Sequence, residues 1–245
     1  MSDFPKLAMV GLSGVLVTFA EKMDNAANCA ALAFRAAVAE QDWPEVRETS
    51  MSLVSVYLVI DLVTADISEI TQKIKALLDT SDWYAAPLPQ GRTLWHIPTV
   101  YGTDIAPQLE EAAEAAGVDP DEAIRQISTT RVRVLTIGFA PGQPYLGELD
   151  PVWDIPRQQA LTKSVPAGAL VLAIRQLVVF TAPTPTGWRH VGQTAFETFR
   201  QKAAQPFALT PGDELVFPSV SQKELETIKA RDTSGNGGAE REVIA

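Results

Sequence analysis

Two hydrophobic periods alternate along the first 80 residues. Residues 7–11 and 14–19 are strand-like, and Gly11, Ser13 and Gly14 between them predict a hairpin turn. Residues 25–40 switch to helical spacing, with Ala30, Phe34, Ala37 and Val38 in register and Asp24 or Asn25 as the cap. Two more strand-like runs follow at 45–50 and 52–61. The second, SLVSVYLVID, has the β-branched density of a buried strand. Residues 66–79 return to helix, with Ile67, Ile70, Ile74, Leu77 and Leu78 forming one apolar stripe. The order β-β-α-β-β-α predicts a sheet with two helices on one side. No motif in this stretch carries chemistry, so it reads as a scaffold or docking domain.

The pattern breaks at residues 81–92, rich in Pro, Ser, Asp and Gly, which read as a linker. Trp83 and Trp95 flank it and are expected at the domain junction. From Arg92 one strand is predicted through His96 to Tyr101, then a helix over 107–116 ending at Gly117. A second helix opens at Asp119, with Pro120 at its first position and Glu122 as the reciprocal capping residue. Beyond residue 130, strand-like runs at 132–138, 170–174, 177–180 and 214–217 alternate with loops dense in Pro and Gly, which predicts an all-β barrel or sandwich. The fold class is α+β: a small α+β domain over 1–80, the linker, a β-barrel domain over 93–230, and a mobile tail over 231–245.

Composition narrows the function classes. Hydrophobic residues make up 46% and charged residues 20% of 245, enough for packed cores. The formal net charge of −10 repels phosphate backbones and disfavours nucleic-acid binding. The lone Cys29, inside an apolar helix, reads as a small buried hydrophobe. With two histidines far apart, no metal site is expected. The start lacks a basic region before an apolar core, and the apolar run 53–63 is too short to span a bilayer, so no membrane partner and a cytoplasmic location are expected.

Three segments are candidates for chemistry. Gly138 to Pro151 packs glycines and prolines into one ordered loop containing Pro144 and Tyr145, where a ligand or a neighbouring chain can approach the backbone. No Gly-Lys-Ser/Thr follows, so it is not a phosphate loop. Arg157, Lys163 and Arg175, the last beside Gln176, stand out in an acidic chain, either as receivers of an anionic substrate or as surface charge. His190 is the candidate acid or base, against a structural alternative, and His96 reads as structural. No Gly-x-Ser-x-Gly elbow appears.

Read in order, the residues carry a likeness. His96-Ile97-Pro98 with Tyr101-Gly102, Gly138-Phe139 with Pro141-Gly142, Pro144-Tyr145-Leu146-Gly147, Leu149-Asp150-Pro151, Val165-Pro166-Ala167-Gly168, Gly187-Trp188, Gly192 with Thr194, and Pro211-Gly212-Asp213 resemble the carboxyltransferase C/D domain family. The resemblance implies a cyclophilin-like barrel for the C-terminal part and a C-type partner subunit. The family includes the B subunit of bacterial 5-oxoprolinase, allophanate hydrolase subunit 1, a sporulation-kinase inhibitor and half of the carboxyltransferase domain of urea carboxylase. It therefore implies ATP-coupled opening of a lactam to glutamate alongside A- and C-type subunits, with ATP bound mainly by a partner. The alternatives are a urea-carboxylase or allophanate system, or a histidine-kinase inhibitor. Arg157, Gln176 and His190 are then the candidates for gripping a small anionic or lactam substrate, with Arg175, Pro144 and Tyr145 beside them. The chain departs from the family at Gln143, at Gln176–Thr181, at Thr186 and at Gln193, where an Arg is common. These changes fall in the proposed groove.

Overall fold

The computed structural model describes residues 4–64 and 66–244, which divide into two compact units with the boundary between Gln90 and Gly91. In the first, β1 (Lys6–Val10), β2 (Gly14–Thr18), β3 (Val46–Ser52) and β4 (Ser55–Ile60) form an antiparallel sheet in the order β1-β2-β4-β3. Helices α1 (Asn25–Glu40) and α2 (Ile67–Leu78) supply the other half of the core. The alternation decides which side chains go in: Val15, Val17, Val56, Leu58 and Ile60 are buried, and they meet Ala30, Phe34 and Val38 from α1 and Ile70 and Ile74 from α2. Asp24 caps α1 by accepting from the Ala27 N–H. Cys29 is only partly buried, because it sits one residue off the stripe of Ala27, Ala30, Ala31 and Phe34.

The stretch read as a linker is in part core. Trp83 is buried in the first unit, edge-on to Phe34 at 5.3 Å, and its indole N–H donates to the Leu78 carbonyl. Trp95 belongs to the core of the second unit. The two tryptophans thus stand in separate cores, and large aromatic burial outweighs the turn-like composition around Trp83.

The second unit is a curled nine-stranded sheet in the order β15-β5-β14-β7-β8-β11-β10-β13-β6. Its strands are β5 (Arg92–His96), β6 (Thr99–Tyr101), β7 (Val132–Ile137), β8 (Pro144–Gly147), β10 (Ala169–Ala173), β11 (Gln176–Val179), β13 (Arg189–Thr194), β14 (Glu214–Val216) and β15 (Glu240–Ile244). A separate ribbon pairs β9 (Thr162–Val165) with β12 (Thr184–Thr186). The strand predicted over 92–101 is broken. Pro98 has no N–H and restricts Ile97, so the chain leaves β5 and re-enters as β6 at the far edge. The curl brings that edge back: Thr99 forms a bridge with Ser219, just past β14, and hydrogen bonds run from Thr99 N to Pro218 O and from Val220 N to Thr99 O.

Helices α3 (Leu109–Ala116) and α4 (Pro120–Thr129) contribute Leu109, Ala112, Ala123 and Ile127 to the main core. Gly117 ends α3 in the left-handed region at φ 70°. Asp119 caps α4 as expected, but Glu122 does not reciprocate: its carboxylate turns to Arg125 and Gln126, and the Arg125 hydrogen bond holds its pKa at about 2. Two features escaped the sequence reading. Helix α5 (Gln222–Arg231) has a complete Ser221–Glu224 capping box. The tail expected to be mobile folds instead: β15 pairs antiparallel with β5, Glu240 opposite His96 through Ile244 opposite Arg92. Strand β5 would otherwise offer an open edge, and the acidic tail residues close it; Ala245 lies outside the described residues.

Candidate functional site

Strand β10 is buried on both sides. Leu170 and Leu172 join the main core, whereas Ala169, Val171 and Ala173 join a second cluster with Val165, Val178, Phe180 and Trp188. Directly opposed residues of an antiparallel pair share a face. His190 opposes Val171, Gln176 opposes Ala173 and Tyr145 opposes Val178, so all three face the second cluster. A β-bulge adds a fourth. The register shifts between Leu170 and Val171, which face Gly192 and His190, leaving Val191 as the extra residue of β13. In a regular strand, residues 190 and 193 would point to opposite sides. With the bulge, Gln193 opposes Ala169 and joins His190.

His190 is 5% exposed, and its Nε2 is buried with no hydrogen-bond partner. Burial lowers the imidazole pKa from its usual value, against the opposing pull of the Gly192 carbonyl and the Gln193 side chain, so the ring is neutral at pH 7. The Gln193 amide donates to the carbonyls of Ala167 and Thr194, both at 2.9 Å, and its Oε1 is buried without a donor. Gly168, at φ +77°, makes room for this amide. A Cβ there would stand 2.4 Å from the Thr194 carbonyl oxygen and 2.9 Å from Gln193 Nε2. The arrangement is a neutral imidazole beside a carboxamide. It can pass a proton or meet an amide; it does not grip an anion by charge.

Amide side chains hold this part of β13. Strand β6 is short and ends its pairing at Gly192, so residues 188–190 have no strand neighbour there. Gln108 substitutes for one: its Oε1 accepts from the His190 N–H at 2.9 Å, and its own N–H donates to the His190 carbonyl at 3.0 Å. Gln108 Nε2 donates to Gln158 Oε1 at 2.8 Å, and Gln158 Nε2 donates to the Trp188 carbonyl at 2.9 Å. Next to His190, the buried Arg189 guanidinium donates to Glu111 at 3.0 Å and to the Pro156 carbonyl at 2.6 Å. Sequence reading missed this network, whose members lie in polar surroundings at 108, 158 and 189 and carry no local signal.

The remaining predicted residues separate. Pro144 is buried at the start of β8, and Tyr145 packs edge-on against Trp188 at 6.2 Å. Arg157 is exposed and lies over the same indole, 5.3 Å from its centroid, so Arg157 and Tyr145 both pack on Trp188. Arg175 is committed elsewhere. With Ile174 it forms the two-residue turn of the β10–β11 hairpin, at φ 61° and 45°. Its Nε donates to the Leu149 carbonyl at 2.9 Å and its guanidinium pairs with Glu148 at 3.6 Å, clamping the end of the Gly-Pro loop. Lys163 is exposed on β9. His96 is half-buried in β5 between β14 and β15.

The Gly-Pro loop has a structural task. Gly142, at φ +73°, passes so close to the 198–199 segment that a Cβ would meet Phe199 Cβ and the Thr198 carbonyl at 2.9 Å. The Gly138 and Gln143 amides are turned inward to the carbonyls of Gln143 and Ala140, so these two N–H groups are not available to a phosphate. No described helix is long and apolar enough to cross a membrane.

Comparison with known proteins adds a second line. The model of the carboxyltransferase domain, subdomain C and D, matches residues 5–209. The B subunit of 5-oxoprolinase from Bacillus subtilis (strain 168) is 28% identical over 235 residues, 91% of this chain and 96% of that protein. The crystal structure of TTHA0988 superposes with a TM-score of 0.72 at 26% identity, over 85% of this chain; the match spans 40% of that longer chain. Kluyveromyces lactis urea carboxylase shares the fold at a TM-score of 0.75 and 17% identity, over 97% of this chain and 24% of its own.

Proposed function

The chain belongs to the carboxyltransferase family of subdomains C and D, and from that premise we propose that it is the B-type subunit of an ATP-dependent 5-oxoprolinase. It opens the lactam of 5-oxoproline to glutamate only when assembled with A- and C-type subunits. The observation that carries this reading is the end-to-end match to the B subunit of the Bacillus subtilis 5-oxoprolinase, which covers 96% of that protein. In this reading ATP is left mainly to a partner, since no Gly-Lys-Ser/Thr follows the Gly-Pro loop and its Gly138 and Gln143 N–H groups are already occupied.

The candidate site agrees with a dependent subunit. The His190 and Gln193 atoms without partners are sealed from solvent, so the free chain presents no open catalytic pair. A lactam offers one N–H donor and one carbonyl acceptor, the complement of a neutral imidazole next to a carboxamide oxygen. In this reading His190 handles a proton when water attacks the activated carbonyl, with the Gln193 amide held beside it by the Ala167 and Thr194 carbonyls. Arg157 and Gln176 stand at the edges of the same cluster.

The test is co-expression with A- and C-type partners, followed by an assay of glutamate formed from 5-oxoproline and ATP. Glutamate is expected from the full set and not from this chain alone, and His190→Gln is expected to lower kcat by about 10²-fold or more. A stable complex that turns over ATP without releasing glutamate would refute the substrate; failure to form any complex would refute the subunit role.

A further inference from the structure

A strand at the edge of a sheet leaves one row of backbone N–H and C=O groups to water or to another chain. The two large sheets end at four strands, and three of these are closed or charged. Strand β3 carries Arg47 and Glu48, with Arg47 paired to Asp61. Strand β15 carries Glu240, Arg241 and Glu242. Strand β6 is buried at every position and is closed by the bridge from Thr99 to Ser219. Strand β1 has none of this protection. It pairs with β2 on one side, and no described strand lies on the other. Its sequence, KLAMV, holds one charge, Lys6, and the next charged residue along the chain is Glu21. Pro5 stands outside the strand, so its missing N–H interrupts nothing between Lys6 and Val10. Ala8, Met9 and Val10 are exposed, and Leu12 in the following turn is 86% exposed.

This strand is complementary to itself. Set antiparallel across a two-fold axis at Ala8, Lys6 faces Val10 of a second copy, Leu7 faces Met9, and Ala8 faces Ala8. The one charge of the strand then meets an aliphatic side chain and not its own like. The smallest residue lies on the axis, where two copies of one side chain share the space. The same register brings the turn with Leu12 against the stretch before the strand of the second copy, where Phe4 stands. The net charge of −10 opposes any encounter of two chains. That opposition is weakest at β1, because the run from Leu7 to Ala20 holds no carboxylate. Five paired residues and a turn from each copy correspond to the low end of specific interfaces, roughly 1,000 Å² in total, which fits a dimer in exchange with monomer.

We propose that the β1 edge binds a second copy of this chain, joining two four-stranded sheets into one of eight strands through antiparallel β1–β1 pairing centred on Ala8. Main-chain hydrogen bonds supply the attraction, and the side-chain register supplies the specificity. A strand from a different protein needs no symmetry about Ala8, so residue 8 separates the two occupants. The inference concerns the first unit and does not rest on the proposed reaction.

The experiment is analytical ultracentrifugation of the full chain from about 1 to about 200 µM. The mass is expected to rise from one chain to two. Ala8→Lys and Ala8→Glu each place like charges opposite one another on an exposed position, and each is expected to weaken association at least about tenfold. An equimolar mixture of the two variants is expected to dimerise again, since unlike charges then face each other across the axis. That recovery also shows that both variants are folded. Val63→Glu serves as the control. Val63 is 88% exposed, on the loop that follows β4, and the Ile60 N–H donating to the Ser13 carbonyl at 2.8 Å holds the end of β4 beside the same turn. It lies two strands from the edge and is expected to leave the dimer unchanged. Added salt is expected to tighten the dimer, because screening removes the repulsion between two acidic chains while strand pairing carries no charge. A wild-type chain that stays monomeric throughout would overturn the proposal, as would a dimer that survives Ala8→Lys or a mixture no tighter than either variant alone. Dissociation by Val63→Glu to the same extent as by Ala8→Lys would also overturn it, by moving the contact to the loops, and so would a dimer that salt weakens.

Discussion

The two units of this chain solve burial differently. The first has a dry core, with sheet and helices meeting through Val, Ile, Leu, Ala and Phe, and Asn28 is its one fully buried polar side chain among the described residues. The second buries twelve polar or charged side chains among the described residues, from Thr99 to Asp213, and several of them keep atoms without partners. Apolar packing stabilises whatever it touches, whereas buried polar groups stabilise only when every lone pair and proton is matched. The first unit follows the first rule, with Glu45 Oε2 its single buried side-chain atom without a partner among the described residues, and the second depends far more on the matching of polar groups.

The comparison predicts distinct responses to substitution, the largest in the dry core. Phe34 is fully buried and packs against Phe19 and Trp83, so Phe34→Ala is expected to cost about 3–5 kcal/mol in urea denaturation. A loss below about 1 kcal/mol would mean that this core is not the tight one described. In the second unit a matched polar group should approach that cost. Asp213 Oδ1 accepts from the Thr93 N–H, and Oδ2 from the Thr210 N–H and hydroxyl, so one carboxylate joins β5 to the turn before β14. Asp213→Ala is expected to cost about 3 kcal/mol, because it strands buried donors, and Asp213→Asn distinctly less. Equal effects from both would show that charge, not the acceptor count, holds that junction.

Gln108→Ala comes next. It removes the acceptor of the His190 N–H and one end of the amide relay, at an expected cost of about 1–2 kcal/mol. In the proposed complex it should also lower kcat without raising KM, since Gln108 positions the backbone that carries His190 and touches no substrate. A KM effect alone would place Gln108 in a binding surface instead.

Legibility in the sequence follows the same division. The first unit could be read element by element, because one buried face per element leaves a clean period in the chain: Val15 and Val17, Val56 and Leu58, Ile70 and Ile74. In the second unit the apolar runs gave β10 and β11 as strands, but β10 is buried on both faces and has no period to say which side faces which cluster, and β13 carries His190, Gly192 and Gln193 within an all-buried strand. Polar letters there look like loop, although each faces a packed cluster. The bulge at Val191 leaves no local signature, yet it decides that Gln193 stands beside His190. Trp83 was hidden for the opposite reason, since the Pro- and Ser-rich composition around it outweighed one large side chain. The capping box at Ser221 and Glu224 was visible in principle and would have placed α5. Arg175 could not be assigned from its charge, because its role depends on a turn that puts it within reach of Leu149.

The smallest expected effect is the most specific to the polar core. Burial is the largest influence on His190 and holds its pKa below the usual 6.5. The unfolded chain therefore binds a proton that the folded chain resists. The stability associated with the neutral ring is fully present above about pH 6.5 and is lost as the pH falls from that value toward the lower folded one. Denaturation midpoints at pH 7.5 and 5.5 should therefore differ in the wild-type chain, and by less in His190→Gln, which keeps a polar side chain but has no proton to gain. The carboxylates do not mimic this window. Glu45, Asp61, Glu122, Glu224 and Asp232 are all shifted downward, so they lose stabilisation only below the ordinary carboxylate range. A pH dependence between 7.5 and 5.5 that survives His190→Gln unchanged would show that the imidazole is hydrated in solution and not sealed, and the contrast between the two units would then rest on the amides alone.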